Sequence, residues 1–272
     1  MPTPNHLRQA ARRPRQKGLS PSSSYSNRNQ AAANNLTPVS FELGGKSPFI
    51  VFSDADLDAA AKTVAAQYFN AGQVCLAGTR VLVESKIADD FLSRVAAAVE
   101  SMRIGDPREA GTQIGPLITK EAFDRVAGFV ERALAAGAEP VWGGRPHDFG
   151  DLYFAPTMLR GVRQDMEIVQ REVFGPVLTW QTFDGEEEVI EFANDTSYGL
   201  AAMVFTRNEE RAIRISTRVV AGTVWVNCFF IRDLAAPFGG ARDSGIGREG
   251  GNWSMDFYCD VKNVAMLKGA FA

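Results

Sequence analysis

Segments typical of β-strands alternate with segments typical of α-helices from about Asn35 to the end of this chain. The apolar run SPFIVF at 47–52 indicates a buried strand, and an apolar periodicity from Leu57 to Tyr68 indicates a helix that ends at Gly72. Because strands separated by helices are typical of parallel sheets, the pattern predicts an α/β fold with a largely parallel sheet.

The same two patterns continue along the chain. Further strand candidates are TRVLVE (79–84), YFAPTML (153–159), VLTWQTF (177–183), LAAMVFT (200–206), TVWVN (223–227) and an exposed last strand, KNVAML (262–267). Further helical periodicities run from Ile87 to Met102, from Thr119 to Gly137, over 185–194 and over 208–219.

Composition excludes several classes of protein. The 272 residues contain no apolar run long enough to span a bilayer, and a net charge of −3 does not favour nucleic acid as a partner. Cys75, Cys228 and Cys259 form no CxxC pair, and the chain has only two histidines, so we expect neither a disulfide framework nor a metal site. Unpaired cysteines favour a reducing compartment, which we take to be the cytoplasm.

The first 30 residues differ from the remainder, because they carry six basic residues and no acid. Arginine, serine and proline dominate without apolar periodicity, and this composition predicts disorder over residues 1–34. The alternatives are an organelle transit peptide and a mis-started translation joined to a genuine protein.

Cys75 lies in the stretch AGQVCLAGTR (71–80), where small neighbours leave room for a ligand. A thiol nucleophile needs a base, and without a usable histidine the candidate is Glu42 in FELGGKSP (41–48). Its apolar neighbours predict a pKa raised by desolvation. The alternatives are an inert core cysteine and a solvated acid at the end of a strand.

Four motifs in this order resemble the signature of the NAD(P)-dependent aldehyde dehydrogenase superfamily, and the resemblance covers roughly residues 31–268. They are FELGGKSP (41–48), GQVC (72–75), REVFGPV (171–177) and PFGGARDSGIGREG (237–250). The resemblance implies the fold of the family's catalytic domain and oxidation of a small aldehyde with NAD, or alternatively NADP.

The resemblance also implies roles for particular residues. Cys75 matches the cysteine that attacks the aldehyde carbon to give a thiohemiacetal and then a thioester, and Glu42 matches the glutamate that activates the hydrolytic water. Leu43, Glu172 and Phe174 match positions that contact the nicotinamide or its ribose.

The loop WVNCFFIRDLAAPFGG (225–240) matches the part of the family that lines the aldehyde entrance, and we assign Arg232 and Phe238 to it. It is similar to the loop of the 2-hydroxymuconate and 2-aminomuconate semialdehyde dehydrogenases, which implies a substrate with a carboxylate that Arg232 would pair with. The alternative is a surface ion pair between Arg232 and Asp233.

The resemblance divides the chain into a basic segment outside the family (1–34), a remnant of the cofactor-binding domain (35–75), a catalytic domain (76–260) and an oligomerisation strand with its tail (261–272). Most of the Rossmann-like cofactor domain has no counterpart, so we expect little turnover by this chain alone. A homo-oligomer is expected, or a separate cofactor-binding chain as partner. The alternative functions are a non-catalytic interaction module and a thiol esterase that uses Cys75 without cofactor.

Overall fold

The computed structural model of the chain describes residues 29–268, which fall into one unit up to Val39 and a second from Ser40 onward. Residues 29–33 are helical, so the expected disorder over 1–34 is wrong for this part. The physical reason is the alanine triplet at 31–33, because alanine has the highest helix propensity. The rest of that prediction, residues 1–28, lies outside the described residues.

Nine strands form two sheets among residues 40–268, the described part of the second unit. They are β1 (Phe41–Glu42), β2 (Pro48–Val51), β3 (Arg80–Glu84), β4 (Glu139–Trp142), β5 (Thr157–Arg160), β6 (Val177–Phe183), β7 (Ala201–Phe205), β8 (Thr223–Val226) and β9 (Gly245–Ile246). The larger sheet has the order β4-β5-β6-β3-β2-β7-β8, and only β4 and β5 pair antiparallel within it. The predicted α/β fold with a largely parallel sheet is confirmed.

Seven helices accompany the strands among the described residues of this unit. They are α1 (Leu57–Ala65), α2 (Ala88–Glu100), α3 (Lys120–Ala135), α4 (Glu167–Gln170), α5 (Glu186–Asn194), α6 (Glu209–Arg218) and α7 (Gly251–Tyr258). Three of these helices have an N-cap residue whose side chain accepts a backbone N–H of the first turn. The N-caps are Asp56 for α1, Thr119 for α3 and Asn208 for α6. No helix among residues 29–268 combines the length and apolar character that a bilayer span requires.

The core lies on both faces of the large sheet. Phe49 and Val51 of β2 belong to the larger apolar cluster, whereas Ile50 and Phe52 belong to a second cluster on the opposite face. The Phe49 ring stacks on that of Phe205 in β7, with 5.0 Å between centroids. A strand buried on both faces has no polar face, which is why SPFIVF reads as a continuous apolar run.

The predicted last strand is wrong for the single chain. Residues 260–267 have no regular structure, and Val261 is 93% exposed. A strand forms only against a neighbouring backbone, and among the described residues KNVAML pairs with no strand of either sheet. The sequence also missed β1, β4, β9, α4 and α7.

The buried guanidinium of Arg80 joins three segments. It donates to the carbonyl of Lys46 at 2.8 Å, of Phe192 at 2.6 Å and of Ala193 at 2.7 Å. Two of these acceptors lie in the last turn of α5, where carbonyls lack helical partners. Arg80 therefore ties β3 to the segment before β2 and to the end of α5, and its burial lowers the pKa of Arg80 to about 9.

Tyr68 offers a test of this packing. Its hydroxyl is fully buried and donates to the Thr157 carbonyl at 2.9 Å, which links the segment after α1 to β5. We expect Tyr68→Phe to lower the free energy of unfolding by about 1–2 kcal/mol in urea denaturation, because a buried carbonyl loses a donor. The control is Tyr258→Phe, since Tyr258 is 74% exposed. Equal losses in the two variants would contradict the packing described.

Candidate active site

Cys75 lies in a loop that a sharp turn separates from the preceding helices. After α1 a 3₁₀ segment, Ala66–Gly72, ends with positive φ angles at Asn70 (55°), Ala71 (52°) and Gly72 (66°). Residues 73–79, the Cys75 loop, then lead into β3. The expected place of Cys75, in a loop just past a helical C-terminus, is confirmed.

A second loop packs directly on this turn. It comprises residues 171–176, the Glu172 loop, between α4 and β6. A Cβ on Gly72 would lie 2.2 Å from the carbonyl oxygen of Gly175, and a Cβ on Gly175 would lie 2.4 Å from Val126 Cγ2 in α3. Because neither position has room for a side chain, the two glycines set how closely the loops approach.

The carboxylate of Glu172 extends from this loop over the glycine pair of FELGGKSP. Its Oε1 accepts the Gly45 N–H at 3.1 Å, and a Cβ on Gly44 would lie 1.8 Å from its Oε2. Burial raises the pKa of Glu172, while the Gly45 N–H, Lys46 and Arg125 act in the opposite direction.

The glycine pair also packs against the backbone of Cys75, since a Cβ on Gly45 would lie 2.8 Å from the Cys75 carbonyl oxygen. Cys75 is half-buried. Burial is the main cause that raises the pKa of its thiol, followed by the charge of Glu172 and, more weakly, of Glu42. The backbone N–H groups of Leu76 and Cys75 act in the opposite direction, because they stabilise negative charge on the sulfur.

Glu42 approaches from the small sheet. It lies in β1, which pairs antiparallel with β9, and its Oε1 would be 3.0 Å from a Cβ on Gly239. Although the Glu42 side chain is exposed, partial desolvation raises its pKa, as expected from the sequence. The charge of Glu249 raises the pKa further, whereas Arg248 and a hydrogen bond from the backbone of Gly240 lower it.

Sequence reasoning missed Glu249. The Phe238 and Glu249 backbones exchange two hydrogen bonds of 2.8 Å, and this bridge brings the Glu249 charge to Glu42. The motif PFGGARDSGIGREG contains both residues, but no periodicity in it indicates an antiparallel bridge.

The structure also places the other two residues assigned to the cofactor. The Leu43 N–H donates to the Ser244 carbonyl at 3.0 Å, so a ligand would have to meet the Leu43 carbonyl instead. Phe174 is 37% exposed and has a φ of +53°, and Arg125 donates to the carbonyls of Val173 at 3.3 Å and Phe174 at 3.4 Å. Phe174 thus presents an accessible ring from a fixed backbone.

Lys46, which follows the glycine pair in FELGGKSP, carries a buried amine. The side chain is 1% exposed, and its Nζ has no hydrogen-bond partner among the described residues. Burial lowers the pKa of Lys46 to about 7; the charge of Arg80 acts in the same direction and that of Glu172 against it.

Arg232 and Phe238 line one cavity of about 210 Å³, together with Leu76, which follows the cysteine. The Arg232 guanidinium lies 5.8 Å from the ring centroid of Phe230 and 5.5 Å from that of Phe238. The alternative surface pair with Asp233 does not form among the described residues, and Asp233 Oδ1 instead accepts the Ala235 N–H at 2.9 Å.

The chain is similar to known proteins of one family. The sequence pattern of the aldehyde dehydrogenase family matches residues 25–264. The 2-hydroxymuconic semialdehyde dehydrogenase of Pseudomonas putida is 42% identical over 243 residues, which are 87% of this chain and 50% of that protein.

Two solved structures are similar to the described fold. They are an NAD-dependent aldehyde dehydrogenase from Sinorhizobium meliloti (TM-score 0.86, 38% identity, 90% of this chain and 49% of that one) and betaine aldehyde dehydrogenase from Staphylococcus aureus in complex with NAD+ (TM-score 0.85, 38% identity, 92% and 52%). The chain spans about half the length of the relatives that it matches.

The contact between the two loops gives a prediction. We expect Gly72→Ala to lower the free energy of unfolding by more than about 2 kcal/mol, because its methyl group meets the Gly175 carbonyl and its φ is positive. In Gly185→Ala, where a Cβ meets nothing within 4 Å, the loss should stay below about 1 kcal/mol. Urea denaturation measures both, and similar losses would contradict the close approach of the loops.

Proposed function

The chain belongs to the aldehyde dehydrogenase family, and we propose that it supplies the catalytic half of an NAD-dependent oxidation of an aldehyde to a carboxylic acid. One observation carries the proposal: a half-buried cysteine feels the charges of two carboxylates whose own pKa values are raised. A cysteine near carboxylates that bind a proton more readily than usual is typical of covalent catalysis.

In this proposal Cys75 attacks the aldehyde carbon, and a sulfur–carbon bond forms as the carbonyl becomes an alkoxide. The N–H groups of Cys75 and Leu76 are the backbone donors at the sulfur and support negative charge there. Loss of the hydride then leaves an acyl group on the sulfur as a thioester, and water releases the acid from it.

Glu42 is the proposed base for that water. Desolvation and the charge of Glu249 both raise its pKa, so it binds a proton more readily than an ordinary glutamate. The hydrolytic step should therefore accelerate as pH rises through a midpoint above the usual glutamate pKa of about 4.3.

The residues around Glu172 fit the nicotinamide riboside end of NAD. The Glu172 carboxylate would accept ribose hydroxyls, the exposed Phe174 ring would pack on the nicotinamide, and the Leu43 carbonyl would accept its amide. When bound, NAD supplies the hydride acceptor. NADP remains the alternative cofactor, because these three residues contact only the nicotinamide end.

The proposed substrate is an aldehyde that carries a carboxylate. Arg232 lines the same cavity as Leu76, and its guanidinium lies within 6 Å of two aromatic ring centroids, from where it would pair with the substrate carboxylate. The name of the Pseudomonas putida relative, a semialdehyde dehydrogenase, supports the same class.

We propose that this catalytic half works together with a cofactor-binding part, on a separate chain or through assembly with further copies by way of residues 261–268. Free cysteines among the described residues agree with the cytoplasm as the proposed location. The domain boundaries at 35–75 and 76–260 belong to the same proposal.

The nucleophile and base can be tested by hydrolysis of an activated ester, which needs no cofactor. A second assay measures NADH formation from a panel of aldehydes in the presence of NAD. We expect Cys75→Ala to abolish both activities and Glu42→Gln to slow deacylation by about 10²- to 10⁴-fold. Cys228→Ala is the matched control and should retain activity. If Cys75→Ala hydrolysed the ester as fast as the wild type, the proposed nucleophile would be wrong. Ester hydrolysis that persists while the chain forms no NADH, even when a complementary cofactor-binding chain is supplied, would identify a thiol esterase.

Substrate class is tested separately. Arg232→Leu should weaken acylation by an ester with a terminal carboxylate about 10- to 100-fold, because a charge-assisted hydrogen bond is lost, and should change a neutral ester of the same length less than about twofold. The exposed Arg207→Leu is the control. Equal effects of Arg232→Leu on the two esters would exclude the carboxylate contact.

A further inference from the structure

The Cys75 loop contains a hydrogen-bonded turn with the cysteine at its centre. The Ala77 N–H donates to the Val74 carbonyl at 3.1 Å, so Cys75 and Leu76 are the two central residues of the turn. The hydrogen bond that closes such a turn uses neither of the central N–H groups. Both can therefore act on the sulfur, and their position depends on how the two ends of the loop are held.

A buried glutamine holds the end of the loop. Gln67 is 2% exposed; its Oε1 accepts the Gly78 N–H at 2.8 Å, and its Nε2 donates to the Thr63 carbonyl in α1 at 2.8 Å. Gly78 is packed against β7, where a Cβ would lie 2.9 Å from Met203 Sδ. Without Gln67 the Gly78 N–H would lose this buried acceptor, and a glycine peptide has no side chain that restricts its rotation.

A second glutamine holds the beginning of the loop. The Oε1 atom of Gln73 accepts the Ile118 N–H at 2.9 Å. Its Nε2 donates to the carbonyls of Asn70 at 3.0 Å and Pro116 at 3.3 Å. Gln73 thus ties the loop to the segment that leads into α3, whereas Gln67 ties it to α1.

We propose that Gln67 and Gln73 are positioning residues, which hold the turn at 74–77 so that its sulfur and backbone N–H groups meet the substrate carbonyl in a fixed geometry. The inference rests on Cys75 as the nucleophile of the proposed function. Neither glutamine needs to contact the substrate, because both act through the loop backbone. A displacement of about 1 Å between reacting groups can cost on the order of 10²-fold in rate, so the loss of either anchor slows acylation.

The test is the rate at which an activated ester acylates Cys75, measured over a range of ester concentrations and located by peptide mass spectrometry. Gln67→Met keeps the length of the side chain and removes both hydrogen bonds. We expect its maximal acylation rate to fall at least about tenfold, while the ester concentration that gives half of that rate changes less than about twofold. Gln67→Glu keeps an oxygen that accepts the Gly78 N–H, so its maximal rate should stay within about threefold of the wild type.

Asn194→Leu is the matched control for lost side-chain hydrogen bonds. The Asn194 amide likewise joins two backbone groups, since it donates to the Arg218 carbonyl at 2.9 Å and accepts the Val220 N–H at 2.7 Å. These bonds connect the end of α5 to the end of α6 and do not involve the Cys75 loop. The variant should unfold at a lower urea concentration than the wild type and still acylate within about twofold of the wild-type rate.

Gln73→Met tests the other end of the loop, also in the case that Gln67→Met does not fold. Its maximal acylation rate should fall at least about threefold, a smaller loss because the side chain is only half-buried and water replaces part of its bonding. The proposal is overturned if Gln73→Met or folded Gln67→Met acylates at the wild-type rate, if Gln67→Glu is as slow as Gln67→Met, or if Asn194→Leu is slowed as much. A wild-type chain that the ester does not acylate at Cys75 would instead contradict the nucleophile of the proposed function, and this inference with it.

Discussion

The close approach of two backbones at Gly72 and Gly175 is the constraint on which the site depends. It places the turn before Cys75 against the loop that carries Glu172. The two backbones are so close that neither glycine could carry a side chain. The parallel sheet provides the frame, because β3 and β6 are neighbours and each continues from one of these loops. Positive φ angles in the turn at 70–72 and at Phe174 in the Glu172 loop define the backbone course where these segments meet.

The electrostatics of the site follow from burial. Lys46, before β2, and Arg80, in β3, are buried basic residues, and desolvation lowers the pKa of both. Desolvation raises the pKa values of Cys75, Glu42 and Glu172, so all five groups are shifted toward their neutral forms. Such shifts are typical of groups that exchange protons during catalysis.

Much of the fold was predictable, because strands buried on both faces must be continuously apolar. The strand at 177–183 and the place of Cys75 after a helix follow from local pattern alone. The short strands at Phe41–Glu42 and Gly245–Ile246 do not, since two-residue pairings are set by partners far away in sequence. For the same reason the approach of Glu249 to Glu42 and the unpartnered amine of Lys46 could not be read from the sequence. KNVAML has the composition of a strand, yet composition cannot supply the neighbour that it needs.

The central claim is that Cys75 carries the acyl group and that Glu42 governs its release. The most direct measurement traps the acyl-protein after brief exposure to an activated ester and follows its position and decay by mass spectrometry. The account predicts a thioester on Cys75 that persists much longer in Glu42→Gln than in the wild type. An acyl group on Cys228 or Cys259, or equal decay in the two proteins, would contradict it.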